Sequence, residues 1–129
     1  MTTPTSGSVG GSFFMSRRKS PKKDWETLRE EALRPHRCLG YDHAQVALHL
    51  MEREAYPIAE RMFRRAIWLN PFESAFSLYL AWCLFKQGRF EEAEQALLAA
   101  SPSEENREKF REMLDLIRKR RMDRSKRPM

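Results

Sequence analysis

Apolar residues recur along this chain at helical spacing, and between positions 40 and 100 the whole pattern occurs twice. Displaced by 34 residues, Val46 falls on Leu80, Ala47 on Ala81, Leu50 on Leu84 and Met51 on Phe85. Further on, Tyr56 falls on Phe90, Ala59 on Ala93, Phe63 on Leu97 and Ala66 on Ala100. A self-match at a period of roughly 20–50 residues marks stacked supersecondary units, each covering an apolar face of the next. Each copy holds two helical stripes separated by a turn. The expected fold class is therefore all-α, a short solenoid of antiparallel helix pairs with about two repeats and a capping helix at either end.

The local signals place the elements. Asp24 is suited to cap a helix over 24–34 whose apolar side is Trp25, Leu28, Ala32 and Leu33, and Pro35 ends it. Residues 36–40 read as a linker. A helix over 41–53 presents Val46, Ala47, Leu50 and Met51 on one face, with Tyr41, Ala44 and Leu48 on an adjoining one. After the turn at Glu54, Pro57 occupies a first helical position, and the helix to Leu69 buries Ile58, Ala59, Met62, Phe63, Ala66 and Ile67. Asn70-Pro71-Phe72-Glu73 reads as a cap, a first-turn proline and a glutamate reaching back, opening a helix over 72–87 that is apolar nearly all round. Gly88 suits a left-handed stop, and a helix over 90–100 turns Ala93, Ala96, Leu97 and Ala100 inward. Ser101-Pro102 opens the last helix, 102–121, with the narrow stripe Phe110, Met113, Leu114 and Ile117, as expected of a terminal unit that buries one side.

Charge divides the chain. Residues 1–23 carry five basic side chains and no acidic one, while 118–129 carry seven basic against Asp123. With a net charge of +6 overall, the two ends hold +11 and the middle −5. The domain organisation that follows is a disordered basic tail over 1–22, a helical domain over 23–121 with repeats at 40–73 and 74–107, and a disordered basic tail over 122–129. Met15, ahead of Ser-Arg-Arg-Lys-Ser, is a second candidate start, which would leave 1–14 untranslated. Two cysteines are too few for a disulfide framework, and no apolar run has the roughly 20 residues needed to span a bilayer. A secretory h-region is absent as well, and the expected location is cytoplasmic.

Each copy carries a small residue, three others, a large one, two others and alanine: Ala59-x3-Phe63-x2-Ala66, then Ala93-x3-Leu97-x2-Ala100. Val46-Ala47-x2-Leu50 and Leu80-Ala81-x2-Leu84 precede them, and Pro71 closes the first copy. At this period the pattern resembles the tetratricopeptide repeat (TPR) family, most closely at Gly88-Arg89-Phe90-Glu91-Glu92-Ala93. It departs where His43 and Ser77 stand in place of a frequent tryptophan, where Glu54 replaces a turn glycine, and where Glu105 stands at the second closing proline. The resemblance implies that the first helix of each pair lines a concave partner-binding groove. Here that groove would be Tyr41, Ala44, Leu48, Met51 and Glu52, then Ala75, Leu78, Trp82, Phe85 and Lys86. Two repeats fall short of the usual three, so these side chains are either open to a partner or covered by helix 24–34, the last helix or a second copy.

The expected function is that of a non-enzymatic protein–protein interaction module (adaptor, scaffold or chaperone-like) binding a peptide or helix in an apolar groove. Ala44, Leu48 and Tyr79 stand where a carboxylate clamp for chaperone tails would need lysine and asparagine, which excludes that ligand. No phosphate loop, nucleophile elbow or zinc-protease motif is present, and no cofactor is implied. His36, Cys38 and His43 supply three potential ligands without the paired-cysteine spacing of a zinc site, and read as a solvated linker. The alternative function is an accessory factor touching RNA, DNA or ribosomes through Arg118, Lys119, Arg120, Arg121, Arg124, Lys126 and Arg127. No aromatic is interleaved there to stack on bases.

Overall fold

The structure is a computed structural model that describes residues 24–126. The expected tail over 1–22 lies outside them. The chain divides into two units, Met1–Ala32 and Leu33–Met129. In the first, α1 (Trp25–Leu33) opens where Asp24 Oδ1 accepts the Thr27 N–H at 2.8 Å, and this bond holds the Asp24 carboxyl below its usual range. It stops one residue before the Arg34-Pro35 step, as the steric restriction on a residue preceding proline requires. None of its residues is buried.

The second unit contains α2 (Tyr41–Glu52), α3 (Tyr56–Leu69), α4 (Ser74–Lys86), α5 (Phe90–Leu98) and α6 (Arg107–Lys126). Helix α2 packs on α3, α3 on α4, α4 on α5, and α6 on both α5 and α4. Alanines fill the narrowest places in this interior. Ala47, Ala59, Ala66, Ala81 and Ala93 are wholly inaccessible, and Phe63, Leu84, Cys83 and Ile117 fill the spaces between them. Helix α4 buries eight of its thirteen residues because it is enclosed by neighbours on several sides, which accounts for its nearly uniform apolarity.

The two turns within pairs are the same structure built from different residues. Glu54 N–H donates to Met51 O and Ala55 N–H to Leu50 O, both at 2.9 Å; Gly88 N–H donates to Phe85 O and Arg89 N–H to Leu84 O, both at 3.0 Å. Both turn residues lie in the left-handed region, Glu54 at φ 62° and Gly88 at φ 79°. The first turn thus adopts the glycine conformation without glycine.

The joints between pairs depart from the expected caps. Asn70 is buried and does not cap α4. Its Nδ2 donates to Arg37 O and Leu39 O, each at 3.1 Å, and its Oδ1 accepts the Phe72 N–H at 3.1 Å. It ties the 36–40 linker to the end of α3, and the cap of α4 passes to Glu73, whose carboxylate accepts the Ala75 N–H at 3.3 Å. Gly40, at φ 92°, lies so close to α3 and α4 that a Cβ would meet Ala66 O and the Phe76 ring at 2.9 Å. Beyond the second pair, the Ser74 hydroxyl accepts the Ser103 N–H at 3.1 Å and Asn106 Nδ2 at 2.9 Å. That interaction holds 101–106 out of helix. Helix α6 accordingly starts at Arg107, later than expected, and runs to Lys126 instead of ending at 121. Two side chains expected inside, Val46 and Ile58, are each 46% exposed, since a helix with neighbours on one side buries a narrower stripe than its apolar residues span.

Candidate partner-binding groove

The first helices of the pairs, α2 and α4, and then α6, line two adjoining hollows. One, of about 250 Å³, is bounded by Tyr41, Ala44, Gln45 and Leu48 of α2, by Ala75, Phe76 and Tyr79 of α4, and by Glu73. The other, of about 440 Å³, is bounded by Leu48, by Leu78, Tyr79 and Trp82 of α4, and by Lys109, Glu112, Met113 and Leu116 of α6. Leu48 and Tyr79 belong to both, so the hollows form one groove. At its polar end Tyr41 Oη donates to Glu73 Oε1 at 2.8 Å while its ring meets Phe76 edge-on at 5.1 Å. The bond to the Glu73 carboxylate, followed by burial, pushes the phenol pKa up, so Tyr41 stays a neutral donor.

Six of the ten side chains expected in the groove are brought together there: Tyr41, Ala44, Leu48, Ala75, Leu78 and Trp82. Ala44 is its buried floor, and Trp82 is 38% exposed. The other four lie elsewhere. Phe85 is only 9% exposed; Trp82 stacks on one side of it at 5.6 Å, Phe90 lies 5.4 Å away, and the Arg120 guanidinium sits 5.5 Å from its centre. The chain's own last helix therefore covers Phe85 and leaves Trp82 accessible. Met51 packs partly buried against the core, and Glu52 is exposed beside His49. Lys86 stands at the margin, its amine 5.2 Å from the Trp82 ring centre.

The last helix, one of the covers the sequence allows for these side chains, walls the groove on one side. Met113, part of the core stripe of that helix, serves both core and groove. Leu116, one of two apolar residues of α6 outside the stripe of Phe110, Met113, Leu114 and Ile117 (the other is Met122), is the signal for that wall.

Four of the seven basic residues expected to contact phosphate are engaged with the fold. Arg118 Nε donates to Glu94 Oε2 at 2.7 Å, and Arg121 donates to Glu94 Oε1. Arg124 donates to Gly88 O at 2.8 Å with its guanidinium over Phe90, and Arg120 lies over Phe85. Lys119 is exposed, while the side chain of Lys126 and all of Arg127 fall outside the described residues. In the linker, His36 Nδ1 accepts the Cys38 N–H at 3.1 Å, and no group of three potential metal ligands is assembled among the described residues.

Residues 46–106 match the sequence model of the family described as tetratricopeptide repeat. That segment is a tetratricopeptide repeat region, spanning a little under half of the chain. Searches of curated proteins and of solved structures return no significant match. TPR units are in general a non-catalytic module that mediates protein–protein interaction, and the packing of α2–α3 and α4–α5 is that of two TPR-like helix pairs. No helix among the described residues is long and apolar enough to cross a membrane.

Proposed function

We propose that this chain is a non-enzymatic TPR adaptor whose α2–α4–α6 groove holds an apolar helix of a partner protein. The observation that carries the reading is the convergence of Leu48, Leu78, Trp82, Met113 and Leu116 on one open hollow. Fully burying a side chain of this size contributes about 1.5–3 kcal/mol, and these are already partly covered. Association costs an estimated 4 kcal/mol or more in lost freedom. The four half-buried anchors, Leu48, Leu78, Trp82 and Leu116, do not exceed that cost by much, so the ligand must bring a stripe of apolar residues of its own. A helix presents such a stripe in register with a groove walled by helices. The free thiols of Cys38 and Cys83 suit a cytoplasmic setting.

A nucleic-acid role is less well supported, because Arg118, Arg120, Arg121 and Arg124 already have partners in the fold. The test is selection from a display library of helical peptides, scored on wild type and on the Leu48→Glu/Trp82→Glu variant. Selected peptides should carry apolar residues at i, i+3 and i+7, bind with little change between low and moderate salt, and lose at least ~10-fold in affinity on the variant. Equal binding to the variant overturns the reading, as does binding that collapses with salt.

A further inference from the structure

Helix α1 carries an apolar side of exposed residues. It is nine residues long, none of them buried, with Trp25 78% and Leu28 48% exposed. An isolated helix below roughly 12 residues is unstable in water. A helix this short needs a surface under it. Its apolar side is Trp25, Leu28 and Ala32, the i, i+3, i+7 anchors of a helix that lies in a groove. Around them residues 24–33 carry four acidic side chains, Asp24, Glu26, Glu30 and Glu31, against Arg29.

The groove is the chemical complement. Leu48, Leu78, Trp82 and Leu116 form an apolar trough, Lys109 stands in its wall beside Glu112, and Lys86 stands over Trp82. We propose that the chain forms a homodimer in which α1 of one copy occupies the groove of the other. The proposal rests on the groove reading above and names its occupant.

The anchoring of the 34–36 segment favours a second copy over the same one. Arg34 Nε donates to Trp68 O at 2.9 Å with its guanidinium 4.2 Å from the Trp68 ring, and His36 N–H donates to Leu69 O at 3.0 Å. Trp68 lines a cleft formed chiefly by α3 and α5, whereas the groove is walled by α2, α4 and α6. Residues 34–36, to which α1 is joined, are thus fixed on the α3–α5 side. A second copy brings its groove to α1 free of that restraint.

The experiment is sedimentation velocity on the full chain over a concentration series, with two variants. Trp25→Glu/Leu28→Glu alters only exposed positions of α1, and Leu48→Glu/Trp82→Glu places negative charge in the groove facing an acidic helix; circular dichroism verifies that both fold. Wild type should show a mass of twice 15.3 kDa. Each variant alone should dissociate with a Kd raised at least ~100-fold. Mixed one to one, the two variants should re-form a dimer, because one copy still offers an intact α1 and the other an intact groove. A wild type that is monomeric up to roughly 100 μM overturns the proposal and leaves α1 to its own chain or to another protein. So does a dimer indifferent to the α1 variant, or variants that do not complement. Peptide selection repeated on the Trp25→Glu/Leu28→Glu protein, whose groove is intact, separates the two readings. Groove-dependent peptides without self-association retain the adaptor reading and reject this one.

Discussion

Replacing Asn70 by aspartate separates two accounts of the joint between the helix pairs. As a helix cap, asparagine and aspartate are nearly equivalent, and the substitution would change stability by a few tenths of a kcal/mol. In the structure Asn70 is 1% exposed and spends both N–H donors on the carbonyls of Arg37 and Leu39. An aspartate has no N–H there and sets a carboxylate against those two oxygens. Each buried acceptor left without a donor costs about 1–3 kcal/mol, and the buried charge adds to it. The expected loss is at least about 3 kcal/mol, or roughly 12 °C or more in Tm for a unit of this size. Urea unfolding followed by circular dichroism measures it. Protonation gives the aspartate one O–H donor, so the gap to wild type should narrow as pH falls below about 5. An Asn70→Asp variant within about 0.5 kcal/mol of wild type would refute the role assigned to this side chain.

Other consequences concern single residues. Glu54 holds a left-handed conformation that costs an L-residue about 1–2 kcal/mol, so Glu54→Gly should raise stability by about 0.5–1 kcal/mol in urea unfolding, and Gly88→Ala should lower it by a similar amount. Burial, reinforced by the Glu60 charge, pushes the Cys83 thiol up to about 11, while Cys38 is exposed. Iodoacetamide at pH 8 should therefore add one label per native chain and two per unfolded chain, as read by mass spectrometry. Hydrogen bonds from Arg118 and Arg121 lower the Glu94 pKa beneath its ordinary 4.5. A lowered carboxylate pKa stabilises the fold above the unfolded value and ceases to do so as pH falls through the folded one. Glu94→Gln should thus cost no more than about 1 kcal/mol at pH 7, because both arginines are a third or more exposed, and the difference from wild type should shrink steadily as pH falls below 4.5.

Much of the architecture was legible because helical repeats are local. Ala59, Phe63 and Ala66 face inward by their spacing alone, and the 34-residue echo at Ala93, Leu97 and Ala100 identifies the stacked unit without knowledge of any contact. The same holds for the turn at Gly88 and for the apolarity of α4. Six of the ten residues that the resemblance names do line the two hollows, since a fixed repeat geometry carries register from one pair to the next.

What the chain's own order of residues could not decide is where one neighbour stops covering another. Trp82 and Phe85 are both aromatic and three residues apart on α4, yet Arg120 of α6 covers one and leaves the other open. Leu116 becomes a wall of the groove only because α6 crosses beside α4. Asn70, which locally reads as a cap, is drawn into the interior by two carbonyls more than 30 residues away in sequence. Sequence periodicity fixes the face of a helix to which a residue belongs. Tertiary packing decides how much of that face is buried, because coverage depends on the bulk and position of side chains carried by other helices.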